Sequence, residues 1–344
     1  ESESTGQELS QVLWEGSEMS EHKLIEPDIY GKDLFGDTVK PKSSGPIADR
    51  FVIPPFTILD AKGGDWQERK RAWIGIGISS EVGRESGCDF GEGIGGEMSI
   101  MKGVQGHITK GTSPDVRKVF ESAGTGASIF DPVVCELAYR WFSPVGGQIV
   151  DPFAGGSVRG IVAGALGRNY WGCDLRQEQI DANELQAMTI DPLVTPNWVC
   201  GDSMEMLSES PKADMVFSCP PYGDLEVYSD NPKDLSNMEW HTFVAAYKRI
   251  IMRSVERMKP DSFACFVVGD FRDKKGHYRN FVSTTIEAFE GCGARLYNEA
   301  ILATSVGSAA MRVTKQFQSG RKMAKTHQNV LVFVKGDWKK ASDK

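Results

Sequence analysis

The chain lacks most of what a secreted, zinc-binding or membrane protein needs. Its seven cysteines form no Cys-x-x-Cys pair and its five histidines show no paired ligand spacing. An odd, unpatterned set of cysteines reads as reduced thiols, so neither a disulfide framework nor a metal site is expected. No apolar run approaches the ~20 residues that a bilayer requires. The first residues, Glu1-Ser2-Glu3-Ser4-Thr5, are polar and acidic without an apolar signal core. Positive charge is short as well: 39 Lys and Arg stand against 47 Asp and Glu, a net charge of -8. That balance excludes a uniformly basic nucleic-acid coat and makes any polyanion site regional. A cytoplasmic, metal-free chain without membrane partners is the expectation.

What is present is enough for a large core. With 344 residues, 40% hydrophobic and 25% charged, one catalytic domain with appendages is the default. Residues 1–50 read as an acidic, polar arm. Residues 51–127 read as an irregular N-terminal extension. It holds the extended apolar piece Phe51 to Asp60 and the block Asp65-Trp66-Gln67-Glu68-Arg69-Lys70-Arg71-Ala72-Trp73. Basic residues between two tryptophans suit a phosphate-contacting or stacking surface, or equally a helix that buries its tryptophans. Gly91-Glu92-Gly93-Ile94-Gly95-Gly96 formally fits G-x-G-x-x-G. No clear strand precedes it and no amphipathic helix follows, so it reads as a loop rather than a nucleotide fingerprint.

From Ser128 the pattern becomes regular. Helical spacing over Asp131 to Phe142 precedes a short strand, Gln148 to Val150. Further strands are expected at 170–174, 198–200, 213–217, 264–268, 294–301 and 329–334, with helices at 177–188, 238–258 and 280–289 between them. This alternation predicts an α/β, doubly wound, mostly parallel sheet over residues 128–336, with an antiparallel last strand and a short tail at 337–344. Ligands in such sheets lie at the carboxyl ends of the strands.

Three aspartates end or follow successive predicted strands: Asp151, Asp174 and Asp202. After Asp151, Gly155 and Gly156 let the backbone approach a ligand before a helix begins. Asp174 is placed to accept both hydroxyls of a ribose. Asp202 is placed to accept from an exocyclic amine. An aspartate opening the glycine loop repels a pyrophosphate but suits a cationic aminoacyl group. S-adenosylmethionine carries such a group with a ribose and an adenine; the alternative is that the aspartates only cap turns. At the end of the 213–217 strand, Ser218-Cys219-Pro220-Pro221-Tyr222 must leave the sheet, because two prolines fix φ and remove ladder donors. The run is either an ordinary turn or a loop offering carbonyls, a sulfur and a ring to a planar ligand.

Two of these stretches resemble one family. Asp151-Pro152-Phe153-Ala154-Gly155-Gly156 is similar to the cofactor motif of the amino-methylating DNA methyltransferases, and Pro54 to Trp73 together with Asp224 to Asp230 resembles phage-borne and bacterial DNA methylases of this group. Cys219-Pro220-Pro221-Tyr222 resembles their catalytic motif, usually Asp, Asn or Ser before Pro-Pro-Tyr. Ser128 to Phe142 resembles the segment that closes over the methionine end of the cofactor. The resemblance implies a Rossmann-like methyltransferase domain using S-adenosylmethionine, with Asp131, Phe153 and Ser203 joining the cofactor set. It implies transfer to adenine N6 or cytosine N4 of a base flipped from double-stranded DNA, with Tyr222 stacking on that base. A homodimer is left open. The same fold also serves RNA or other substrates, and could persist as a non-catalytic nucleic-acid-binding module. Cys219 departs from the pattern, since a thiol accepts weakly. Ser218, Asp224 or a water could replace it as acceptor, Asp224 ranking first because carboxylates accept strongly. A covalent role for Cys219 in carbon-5 methylation is disfavoured, because those enzymes place the cysteine after a proline and this chain has no Pro-Cys dipeptide. For DNA, a basic loop over 312–327 offers Arg312, Lys315, Arg321, Lys322 and Lys325 without an acidic residue.

Overall fold

The computed structural model describes residues 29–30, 45–78, 130–225, 228–304, 306 and 309–344, with Asp224 described by its backbone alone. The glycine-rich stretch and nearly all of the acidic arm lie outside these residues.

A short helix α1 (Pro46–Phe51) and a three-residue strand β1 (Ile58–Asp60) precede helix α2 (Gly64–Gly75). The regular part then runs α3 (Pro132–Phe142), β2 (Gln148–Asp151), α4 (Val158–Ala165), β3 (Asn169–Asp174), α5 (Gln177–Ile190), β4 (Asn197–Cys200), α6 (Ser203–Met206) and β5 (Ala213–Ser218). It continues with α7 (Trp240–Arg257), β6 (Met258–Val268), α8 (Phe281–Glu290), β7 (Ala294–Ala303), α9 (Ala309–Gly320), β8 (His327–Lys335) and α10 (Trp338–Ser342). The strands form one sheet in the order β1-β7-β8-β6-β5-β2-β3-β4.

The doubly wound, mostly parallel sheet expected from the sequence is what the chain forms. β8 is its antiparallel strand, inserted between β6 and β7. β2 is flanked by β3 and β5, both parallel to it. The chain direction across the sheet reverses there, which opens a crevice at the carboxyl ends of β2 and β5. Alternation along the strands feeds two cores. Ile149, Met215, Phe217 and Cys265 face one layer of helices, while Val150, Val216, Ala264 and Phe266 face the other. With both faces covered, the inner strands read as nearly unbroken apolar runs.

Local chemistry explains the helices that border the crevice. Pro132 at the first turn of α3 is pre-set for a helix start, and Asp131 caps it by accepting from Val133 N at 3.0 Å. α4 lies flat on the sheet because Gly160 and Gly164 carry no side chain. A Cβ at either would run into the Trp198 ring or the Val194 carbonyl.

Two expectations about the extension and the basic run are resolved. The Trp66 to Trp73 block is a helix whose tryptophans are only 1% and 0% exposed. Arg69, between them, is buried in a bidentate pair with Glu136 of α3, to which Trp73 Nε1 also donates at 2.8 Å. It is therefore a clamp between α2 and α3, and its tryptophan rings are closed to stacking on a ligand. The run 312–327 is not a loop: residues up to Gly320 belong to α9, and only 321–326 connect to β8. Its residues are good helix formers free of proline, so backbone propensity prevailed over the loop reading of a charge run.

Candidate active site

The crevice at the carboxyl ends of β2, β3 and β5 holds a cavity of ≈ 410 Å³, within the size range of small-molecule sites. Phe153, Gly155, Gly156, Asp174, Asp202, Ser203, Asp131, Cys219, Pro220, Pro221 and Tyr222 all line it. The two motifs, 67 residues apart between Asp151 and Ser218, thus open onto one space.

Asp151 does not line that space. Its carboxylate is fully buried and takes four donors: Phe153 N at 3.0 Å and Ser218 Oγ at 2.5 Å on Oδ1, Arg159 Nε at 2.5 Å and Tyr170 hydroxyl at 2.8 Å on Oδ2. The cation that the sequence reading assigned to a ligand is supplied from within, by Arg159. That guanidinium also donates to the carbonyls of Phe153 and Ala154, so it shapes the glycine loop from beneath. Burial opposes its charge, but Asp151 outweighs burial and raises the Arg159 pKa. Ser218 is corrected in the same way. It is 0% exposed and committed to Asp151, and it cannot serve as an acceptor in the crevice.

Gly155 adopts φ +50, a conformation that favours glycine, and donates to Asp174 Oδ2 at 3.0 Å. Asn183 of α5 returns a hydrogen bond to the Gly155 carbonyl at 2.7 Å, and Gln179 donates to Asn183 at 2.9 Å. Asp174 also accepts from Arg176 N at 3.0 Å. Burial, only partly offset by these hydrogen bonds and by Arg176, pushes its carboxyl pKa up. Asp202 caps α6 through Met204 N at 2.9 Å, and Lys233 Nζ stands 3.7 Å from its other oxygen. Ser203 donates to the Pro152 carbonyl at 2.5 Å and so braces the loop. Asp131 is also occupied, by Val133 N, Trp66 Nε1 at 3.2 Å and Lys70 Nζ at 3.1 Å.

In the second motif, Pro220 is buried against the crevice, and no donor among the described residues reaches its carbonyl oxygen. The Tyr222 ring meets Phe271 and Phe281 edge-on, with centroids 6.0 and 5.9 Å away. Its hydroxyl accepts from Gln328 Nε2 of β8 at 2.8 Å. Burial first, and the Cys219 sulfur second, raise the Tyr222 pKa well above its ordinary value. The Asp224 side chain lies outside the described residues.

Arg159, Asn183, Lys233 and Gln328 were not singled out by sequence reasoning. Gln179 and Asn183 had a signal, polar residues four apart on the inner face of a helix. Gln328 had none, because its partner is 106 residues away. The predicted nucleic-acid contacts are not brought together in the crevice. Lys315, Arg321 and Lys322 are exposed on or just after α9, Arg312 lies further up that helix, and Lys325 is half-buried beside Gly269. Among the described residues no cluster of side chains could hold a metal ion, and no helix is long and apolar enough to cross a membrane.

No family model and no curated protein sequence matches the chain. Among solved structures it is similar to TrmN from Thermus thermophilus, at 14% identity and a TM-score of 0.43, over 63% of this chain and 52% of that one. The chain therefore spans about half the length of TrmN. It is also similar to the magnesium protoporphyrin IX methyltransferase ChlM from Synechocystis with bound SAM, at 10% identity and TM-score 0.40, over 66% of this chain and 86% of that one. A TehB-like SAM-dependent methyltransferase from Corynebacterium glutamicum aligns at 17% identity and TM-score 0.39, over 64% of this chain and 95% of that one.

Proposed function

We propose that this chain is an S-adenosylmethionine-dependent methyltransferase acting on an exocyclic amino group, adenine N6 or cytosine N4, of a base flipped from double-stranded DNA. The observation that carries the reading is Pro220, which lines the cavity shared with Gly155, Asp174 and Asp202 and whose carbonyl accepts from none of the described residues. The donor set suits the cofactor. A positive-φ glycine gives close backbone approach, Asp174 offers a carboxylate to a ribose, and Asp202 lies further along the same wall. When bound, S-adenosylmethionine supplies an electrophilic methyl group.

The protein's part is to prepare the amine. Its lone pair is delocalised into the base ring, so it attacks poorly. Two acceptors that take its hydrogens make the nitrogen more tetrahedral and aim the lone pair. Pro220 O is one. Ser218 is used by Asp151 and the Cys219 thiol accepts weakly, so the second role falls to Asp224 on the same loop. Tyr222, its hydroxyl tethered by Gln328, presents its ring to the flipped base and offsets part of an unpairing cost of a few kcal/mol. The test is transfer of labelled methyl to unmodified duplex DNA, tRNA and protein in parallel, followed by mass spectrometry of the nucleosides. Labelling of N6-adenine or N4-cytosine in duplex DNA supports the reading. Labelling confined to tRNA or protein overturns its substrate, and absence of S-adenosylmethionine binding by calorimetry overturns it altogether.

A further inference from the structure

Beyond β6 the chain folds into a small hairpin that the reading of the active site leaves unused. Arg279 N donates to the Phe271 carbonyl at 2.9 Å, Arg272 bridges Tyr278 in antiparallel fashion, and Asp273 N donates to the His277 carbonyl at 2.8 Å. Gly276, at φ +92, closes the turn. The hairpin tip presents Lys274 and Lys275 to solvent. Arg272 lies over the Tyr278 ring at 4.0 Å and donates to the Gly276 carbonyl at 2.8 Å, giving a flat cationic and aromatic face. The chain leaving α9 comes up beside it: a side chain on Gly276 would meet Lys322 Nζ at 2.7 Å.

These cations are not consumed within the fold. Among the described residues no carboxylate pairs with Arg272, Lys274, Lys275, Arg321 or Lys322. The two acids of the segment are engaged by backbone donors: Asp273 accepts from His277 N at 2.9 Å and Asp270 from Val282 N at 3.1 Å. On a chain of net charge -8, such a concentration is a local exception. It also adjoins the crevice, because Phe271 at the hairpin root packs against Tyr222.

The geometry points to the hairpin of residues 271–279, together with Arg321 and Lys322, as the surface that grips the sugar-phosphate backbone of duplex DNA beside the base held in the crevice. This rests on the proposed function. Phosphate contacts fix register without reading sequence, and each one releases counterions on binding. The contact set differs from the one a sequence reading favours, since Lys274 and Lys275 lie outside the 312–327 run.

The test measures affinity of the full chain for a labelled unmodified duplex by fluorescence anisotropy, across salt from about 50 to 200 mM. The Lys274→Ala/Lys275→Ala variant is compared with Lys339→Ala/Lys340→Ala, an equal charge loss on α10 at the far end of β6. Loss of two phosphate contacts lowers the slope of log affinity against log salt by about 2 and shrinks the wild-type advantage about tenfold across that range. The α10 variant keeps the wild-type slope. Equal slopes in all three proteins, or equal falls in both variants, overturn the surface while methyl transfer to duplex DNA leaves the proposed function standing. The same fall seen with RNA but no binding to duplex overturns the choice of DNA. No binding and no transfer to any duplex overturns the surface and the function together.

Discussion

Replacing Asp151 with asparagine separates a structural hub from a ligand contact. Each carboxylate oxygen receives two donors, Phe153 N and Ser218 Oγ on one and Arg159 Nε and Tyr170 hydroxyl on the other. An amide keeps one oxygen and turns an NH2 group toward two donors. It also leaves the Arg159 guanidinium, 7% exposed, without its charge partner. Breaking a buried pair on one side costs about 3–5 kcal/mol. With a urea slope of about 2–3 kcal/mol/M, the unfolding midpoint falls by about 1–2.5 M. Ser218→Ala removes a single hydrogen bond to a charged group and costs about 1.5–3 kcal/mol. Because Arg159 also holds the Phe153 and Ala154 carbonyls, S-adenosylmethionine affinity falls alongside stability in Asp151→Asn. The assay is urea unfolding followed by far-UV circular dichroism, with calorimetric titration in the native baseline. A variant with the wild-type midpoint and no cofactor binding would refute the hub, because the carboxylate would then be touching the ligand.

Three further outcomes follow from the same geometry. Asp174→Ala weakens cofactor binding with turnover at saturation nearly retained, whereas Tyr222→Ala lowers turnover with affinity nearly retained; steady-state kinetics on duplex DNA separates them, and equal effects would contradict the assigned roles. Burial raises the Asp174 pKa, so on acidification from neutrality the carboxylate is protonated earlier than an ordinary aspartate and cofactor affinity drops there, a dependence that Asp174→Asn abolishes in titrations across pH. Glu136 is buried, which opposes its charge, but Arg69 and Arg140 outweigh burial and lower its pKa; its stabilisation is present above the ordinary carboxylate pKa and is lost as pH falls through the lowered value. Accordingly Arg69→Met costs about 3–5 kcal/mol, and adding Glu136→Leu brings no recovery because it strips Arg140 Nε and Trp73 Nε1 of their acceptor, as read by urea unfolding.

Much of this fold was legible because the inner strands and their flanking helices alternate with clear periods. Gln148 to Asp151, Asn169 to Asp174 and Ala213 to Ser218 each end in a residue that the chain must use, and the strand ends set the crevice. The strand Ile58–Asp60 was not legible, since a three-residue edge strand is defined by its pairing with Ile301–Ala303 rather than by its own pattern. α9 was hidden by its own charge. At the site, residue types were readable but their partners were not. Asp151 and Ser218 look like ligand contacts in the sequence, and only the return of Arg159 along α4 and the adjacency of β2 and β5 show that each answers the other. The weakness of Cys219 as an acceptor was visible from its chemistry. That Gln328 would tether Tyr222 was not.

The placement of β8 sets an order of assembly. β7 and β1 reach the rest of the sheet only through it, although both leave the ribosome first. As the chain emerges, the block from β2 to β6 can close while β7 waits with an unpaired edge, and β1 waits for β7 across some 240 residues of intervening chain. Loop closure over such a distance is slow. Gln328 arrives on the same late strand, so Tyr222 gains its tether only when the sheet is completed.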